Sequence, residues 1–248
     1  MGPVAAVIIL VTVLITSFIS GIFGMAGGII FMGVLTSLVS VAMAMMIHGA
    51  VQMVSNGYRA FLWRRHINWT VFRRYALGSV GAVLLLFALS WRPDKQMVYL
   101  MLGLVTLLVW LPKRVADLDI QKPFQAEGAG FVVQALNTVA GVAGPLLDQF
   151  FVRTDLTRHE IVATKAITQV LAHFVKIIFW SVPVLMTAGV EALPPAWLIL
   201  LAAPLSMLGT TLGGKVLDRM SDVNFKRGMK YLVTAVGIVM FIKAVGWL

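Results

Sequence analysis

Ten apolar runs follow one another along the chain with only short gaps between them. They cover 3–23, 25–40, 41–63, 70–90 and 96–112, then 128–141, 144–152, 160–182, 194–217 and 228–248. A bilayer core about 30 Å thick takes about 20 apolar residues in a helix, and most of the runs approach that length. Water offers no place for so much apolar surface. Only 12% of the residues are charged, 60% are hydrophobic and the mean hydropathy is +0.93, whereas soluble domains carry about 25% charge. A soluble globular enzyme is excluded, and so is a disordered chain. In lipid the backbone must satisfy its own hydrogen bonds, which leaves helices as the structure for such runs. The expected fold class is an all-α integral membrane protein.

The runs fall into two sets of five around a polar stretch from Pro112 to Glu127 that holds Lys113, Arg114, Asp117, Asp119 and Lys122. This divides one transmembrane domain into a first repeat at 1–112, a linker at 113–127 and a second repeat at 128–248. The start, Met1-Gly2-Pro3, lacks the basic residues of a secretory signal, so 3–23 is expected to be a retained segment. Runs 25–40 and 144–152 are short and each follows a glycine-containing break, as half-helices of re-entrant hairpins would. Trp63, Trp69, Trp91, Trp110, Trp180, Trp197 and Trp247 all lie at or near run ends, the headgroup level that indole prefers.

The halves resemble each other in sequence. A shift of 117 residues lays Gly24-Met25-Ala26-Gly27 on Gly141-Val142-Ala143-Gly144, and pairs Gln52 with Gln169, Arg59 with Lys176 and Trp63 with Trp180. A shift of 128 pairs Gly81 with Gly209, Leu89 with Leu217, Asp94 with Asp222 and Thr106 with Thr234. Loop charge then tests orientation. Loop 64–74 carries Arg64, Arg65, Arg73 and Arg74 without an acid, while its counterpart 181–196 carries Glu191 and no base. Basic loops mark the cytoplasmic side, so equivalent loops lie on opposite sides and the repeats are inverted. The linker and the gap with Arg219, Lys226 and Arg227 then lie inside, and both termini lie outside. The loop Arg92-Pro93-Asp94-Lys95 falls outside with a small basic excess. Inverted repeats with glycine-interrupted short segments at matching positions are the mark of secondary transporters.

The third segment of each half carries the polar residues. His48, Gln52, Asn56 and Arg59 in the first, and Lys165, Gln169, His173 and Lys176 in the second, share the spacing i, i+4, i+8, i+11. That spacing lines one helix face. Intramembrane ionisable groups usually face a cavity or a partner. Snorkelling to the headgroups is the alternative for Arg59, Lys176, His48 and Lys165, and interhelical glue is the alternative for the two glutamines. The glycine breaks around Gly27, Gly28 and Gly144 would expose helix-start N–H groups to an anion, or would serve close helix packing. Ser17 and Ser20 correspond to Gln134 and Asn137 at the same shift, as minor lining groups or as helix-to-helix hydrogen bonds.

Nine of the ten acids lie in loops or near run ends, and Asp148 alone sits beside a re-entrant tip. Donors and bases without acids point to an anion. Asp148 is a coupling candidate, a partner for Lys165 or His173, or an exposed hairpin acid. The net charge of +10 would suit nucleic acid in a soluble protein, but here the bases sit in short gaps between apolar runs, where headgroup contact explains them. No nucleic-acid partner is expected; membrane lipid, a small anion and a homodimer are the expected partners. The absence of cysteine excludes thiolate chemistry and Cys-based metal sites. With no His-Glu-x-x-His either, no metal, cofactor or enzymatic activity is expected.

These features resemble the sulfite exporter TauE/SafE family of membrane permeases. The likeness rests on Gly24-Met25-Ala26-Gly27-Gly28, the polar third segment ending at Arg59, and the basic exit Arg64-Arg65-His66-Ile67-Asn68-Trp69. The weaker second copy from Gly141, with Ala163-Thr164-Lys165 opening its next helix, adds to it. Pro145 and Asp148 stand where the family's second motif is usually richer in glycine. The resemblance implies export of sulfite, an organosulfonate or a related small sulfur anion across the cytoplasmic membrane, by inference the inner membrane of a bacterium. An anion channel and a non-transporting accessory subunit are the alternative readings of the same residues.

Overall fold

The computed structural model describes residues 2–23, 26–110, 118–151, 153–217, 219–220 and 222–246. The described helices are α1 (Pro3–Phe23), α2 (Ala26–Leu38), α3 (Val41–Leu62), α4 (Trp69–Leu89), α5 (Lys95–Leu107), α6 (Gln125–Ala140), α7 (Gly144–Phe151), α8 (Arg158–Ala188), α9 (Ala196–Leu217) and α10 (Asp222–Ala244). No strand occurs among the described residues. Gly24 and Met25 of the first glycine break, Pro112 to Asp117 of the linker, Val152 and Trp247 lie outside the described residues.

Local chemistry sets the helix starts. Ser40, Asn68 and Asp94 each accept a hydrogen bond from a first-turn backbone N–H of α3, α4 and α5, the role for which short polar side chains are favoured. Thr157 and Glu160 form a reciprocal capping box at the start of α8. Among the described residues, Pro3–Phe23, Trp69–Leu89, His159–Ala188 and Val190–Leu217 contain stretches long and apolar enough to cross a membrane. Helix α3 matches them in length, with 22 residues, but carries the polar stripe. At 8 residues, α7 rises only about 12 Å and cannot cross a core of about 30 Å. Helix α2 turns back along the end of α1: a Cβ on Gly27 would run into the Thr16 carbonyl and the Ser20 hydroxyl.

Three sequence expectations are corrected. Helix α6 begins at Gln125, so the last linker residues are helical. Helix α8 continues through Pro183 to Ala188, which shortens the expected loop 181–196 to a 3-10 turn, Val190–Ala192, and its flanks. Trp180 therefore lies inside a helix, buried, with its indole N–H donating to the Thr138 carbonyl at 2.8 Å, and is no headgroup anchor. Pro183 has no N–H to give the Phe179 carbonyl, four residues back. Arg92 supplies the missing donor at 3.1 Å, and its guanidinium carbon lies 4.5 Å from the Phe179 ring centroid.

Helix pairing follows the sequence repeat. Exchanging α1–α5 for α6–α10 turns the α1–α9 contact into α4–α6, α1–α2 into α6–α7, α3–α9 into α4–α8, and α2–α10 into α5–α7, while α3–α8 and α5–α10 map onto themselves; all of these pairs pack. The match is imperfect, since α6 packs on α8 more extensively than α1 does on α3. Small residues make the closest pairs, as in membrane bundles generally. Gly209 and Gly213 of α9 face the α1 backbone at Leu14 and Phe18, and Gly78 of α4 and Gly130 of α6 meet at Glu127 and Tyr75. Along α3 and α8 the neighbours run Gly49 with Ile177, Gly57 with Val170 and Trp63 with His159, so these two helices are antiparallel. In α5 and α10, Gln96 meets Ala244, Gly103 meets Phe241 and Trp110 meets Thr234, again antiparallel. In these two pairs the helices run in opposite directions.

Candidate functional site

The site lies where α3 and α8 cross between the tips of the two hairpins. The polar stripes of α3 and α8 share the cavity, and beside them Gly49 lets Ile177 and the His173 backbone of α8 approach α3 closely. The cavity between them has a volume of about 50 Å³, room for about three to five waters at 10–15 Å³ each. Its walls combine His48, Gln52, Asn56 and Arg59 of α3, Gln169 and His173 of α8, Ser20 of α1, Gly28 of α2, Asn137 of α6, and Val142 and Gly144 at the second tip. No carboxylate is among them, and Val142 is the one branched apolar side chain.

The lining groups are under-used by the protein itself. Both amide atoms of Asn137, the Gln169 amide nitrogen and the His173 Nδ1 are buried without a hydrogen-bond partner. Unpaired buried polar groups are rare in proteins and call for an explanation. Here four such atoms belong to three residues that line one cavity, which Arg59 also lines. Asn56 spends its amide on the Gln52 carbonyl at 2.9 Å, which orients it along the wall.

Behind the lining lies a buried lysine. Lys176 is fully buried, and its Nζ donates to His48 Nδ1 at 2.8 Å and to the Gly141 carbonyl at 2.9 Å. His48 Nε2 lies 3.0 Å from the Gly28 carbonyl. A carbonyl only accepts, so Nε2 carries the proton and Nδ1 of the neutral ring accepts from Lys176. The His48 ring stacks on Phe31 at 5.7 Å and meets His173 edge-on at 5.5 Å. Among the described residues Lys176 has no carboxylate partner. Lys165 does have one, Asp148.

Of the residues singled out in the sequence, Gln52, Gln169, His48, Asn56, His173, Gly28, Gly144 and Arg59 meet at the cavity. Gly27, Lys165, Lys176 and Asp148 do not line it. Gly27 serves packing against α1, Lys165 and Asp148 hold each other, and Lys176 sits one imidazole behind the wall. Neither His48 nor Lys176 snorkels, since both are buried. The minor polar pairs divide in the same way. Ser20 and Asn137, equivalent at a shift of 117, line the cavity. Ser17 reaches Ser206 at 3.3 Å, and Gln134 reaches the Ala172 carbonyl at 3.3 Å, both as interhelical glue. Sequence reasoning omitted Val142 from the wall, although it stands inside the second glycine motif, and nothing local signals the Lys176–His48 contact across 128 residues.

An all-helical membrane bundle with paired halves and a central polar cavity defines a multi-pass membrane protein. The profile of the family described as sulfite exporter TauE/SafE matches residues 8–240 of the chain. The chain belongs to that family, a family of membrane transporters. Among curated proteins and solved structures, none matches it.

Proposed function

We propose that the chain exports a small sulfur oxyanion, sulfite or an organosulfonate, across the cytoplasmic membrane by alternating access. The observation that carries this reading is the acid-free cavity, lined by Arg59 and by three residues, Asn137, Gln169 and His173, that carry unpaired buried polar atoms. A cation would find no carboxylate there. An oxyanion would accept from the guanidinium, from the amides of Gln169 and Asn137, and from His173 with Nδ1 protonated. Charge-assisted bonds of this kind are the strong ones. Gln52, Asn56, Ser20 and the N–H groups at Gly144 complete the proposed shell.

Membership of a family named for sulfite export supports the substrate class. The antiparallel α3–α8 and α5–α10 pairs support halves inserted upside down relative to each other, as alternating access through inverted repeats requires. The parity agrees: counting α1 and α2 as two crossings or as one hairpin leaves an odd number per half. With Arg64 and Arg65 placed inside, both termini lie outside. Arg92, the base that falls outside, is engaged by the Phe179 carbonyl. Export needs no coupling ion, because a monovalent anion gains about 2.3 kcal/mol per 100 mV on leaving a negative cytoplasm.

The test is flux through the purified protein in liposomes with sulfite, a two-carbon sulfonate, sulfate or chloride, under an imposed potential. Saturable, voltage-driven movement of one of the sulfur anions is expected. Unsaturable conductance would replace the carrier by a channel, and no flux of any anion would leave the accessory-subunit reading.

A further inference from the structure

The wall of the cavity accounts for Arg59, the amides and His173, but not for Lys176. An ionisable side chain at membrane depth is costly to keep and is seldom without a role, yet this one touches no part of the cavity. Its contacts point elsewhere. The hydrogen-bond chain runs from the Gly28 carbonyl at the start of α2, through His48 of α3, to Lys176 of α8, and ends on the Gly141 carbonyl that closes α6. Gly141 takes a positive φ of 85° as the C-cap of α6, which turns its carbonyl out of the helix and leaves it available. One end of the chain is thus the tip of the first hairpin, and the other is the tip of the second.

Resting on the transporter reading above, we propose that Lys176 is a positioning residue: with His48 it ties the two hairpin tips together so that they move as one body around the anion. Three features carry this. Lys176 is sealed from the cavity, so it is no ligand in this state. Its two acceptors belong to different halves: the bond to Gly141 stays within the second, and the bond to His48 crosses to the first. The imidazole between Lys176 and Gly28 accepts at one nitrogen and donates at the other, so it transmits position without having to change charge. Phe31 stacked on one side and the His173 edge on another hold that ring in place.

The absence of native cysteine makes the test direct. Spin labels are attached to the pair Ile30→Cys on α2 and Leu146→Cys on α7, both partly exposed, and their distance distribution is measured in liposomes beside the flux assay. In the Lys176→Met protein the distribution is expected to broaden. The maximal rate is expected to fall about tenfold or more, the scale of a lost charge-assisted hydrogen bond, with little change in KM. His48→Phe keeps the aromatic stack but breaks the chain, and behaves alike. His48→Gln keeps one acceptor and one donor between Lys176 and Gly28 and is expected to retain the narrow label distribution. Two results overturn the proposal: a Lys176→Met protein with an unchanged distance distribution, whatever its KM, or a His48→Gln protein whose distribution is as broad as that of His48→Phe, which removes the hydrogen-bond chain as the tie. Label distances are read without transport, so failure of the tie is separable from failure of the export reading, which would show as absent flux in the parent protein.

Discussion

The two halves place different chemistry on the same scaffold. At a shift of 117 residues Phe31 coincides with Asp148 and His48 with Lys165. The first pair is a ring stack, and the second is an ion pair. Arg59 coincides with Lys176, yet Arg59 lines the cavity while Lys176 is buried behind it. Gln52 and Gln169, Asn56 and His173, and Ser20 and Asn137 coincide as well, and all six line the cavity. The middle of the stripe is shared between halves, and its ends have diverged. In the first half the end base, Arg59, lines the cavity, whereas in the second Lys165 pairs with Asp148 and Lys176 bonds to His48 of the first half. Helices α3 and α8 thus bring the hydrogen-bonding middle of their stripes to the same cavity, while their charged ends have different surroundings.

The sharpest way to break the correspondence is through the glycines in the corresponding α4–α6 and α1–α9 contacts. Gly130→Leu in α6 and Gly209→Leu in α9 would each drive a side chain into a neighbouring backbone. Each is expected to cost ~4 kcal/mol or more, read as loss of the monodisperse protein or a large fall in Tm. A mild effect at one of the two would show that the pairs are not equivalent. Next comes the divergent end of the stripe. Arg59→Gln is expected to lower kcat/KM for the anion about a hundredfold, the size of a lost buried charge contact, with the Tm little changed. An unaffected rate would remove Arg59 from the site.

The shared middle of the stripe predicts equality. Gln52→Ala and Gln169→Ala are each expected to reduce kcat/KM about tenfold, as for one strong hydrogen bond. Effects differing by more than an order of magnitude would mean the anion lies in one half alone. The smallest change belongs to the ion pair. Lys165→Gln and Asp148→Asn are each expected to lower stability by ~1 kcal/mol or less and to be non-additive in the double variant, since both side chains are partly exposed. Flux is expected to stay near the parent rate. Loss of a proton-driven component in Asp148→Asn would instead place that carboxyl in the transport cycle.

Much of this is legible from the residues. Apolar run length places the helices to within a few residues almost everywhere, because lipid permits little else. It fails at Pro183, where a proline that would usually end a helix does not: a guanidinium from another loop supplies the missing donor and lets the helix continue. Trp180 goes astray for the same reason, since its interfacial reading depends on a helix ending at 182. The cavity residues are visible as a repeated stripe with one spacing. Their separation into wall and support is not. Gly27 and Gly28 are neighbours in one motif, but only packing shows that one faces α1 and the other the cavity. Lys165 and Lys176 lie on the same stripe as Gln169, and their withdrawal depends on Asp148 and on His48 and Gly141, partners that helical spacing cannot reveal.

The most direct measurement of the central claim is sidedness. Single cysteines placed by Arg65→Cys after α3 and Glu191→Cys after α8 occupy equivalent loops on an otherwise cysteine-free chain, and intact cells are exposed to a membrane-impermeant thiol reagent. Labelling at 191 with protection at 65 until the cells are opened is the predicted result; labelling of both positions, or of neither, would contradict halves inserted in opposite senses.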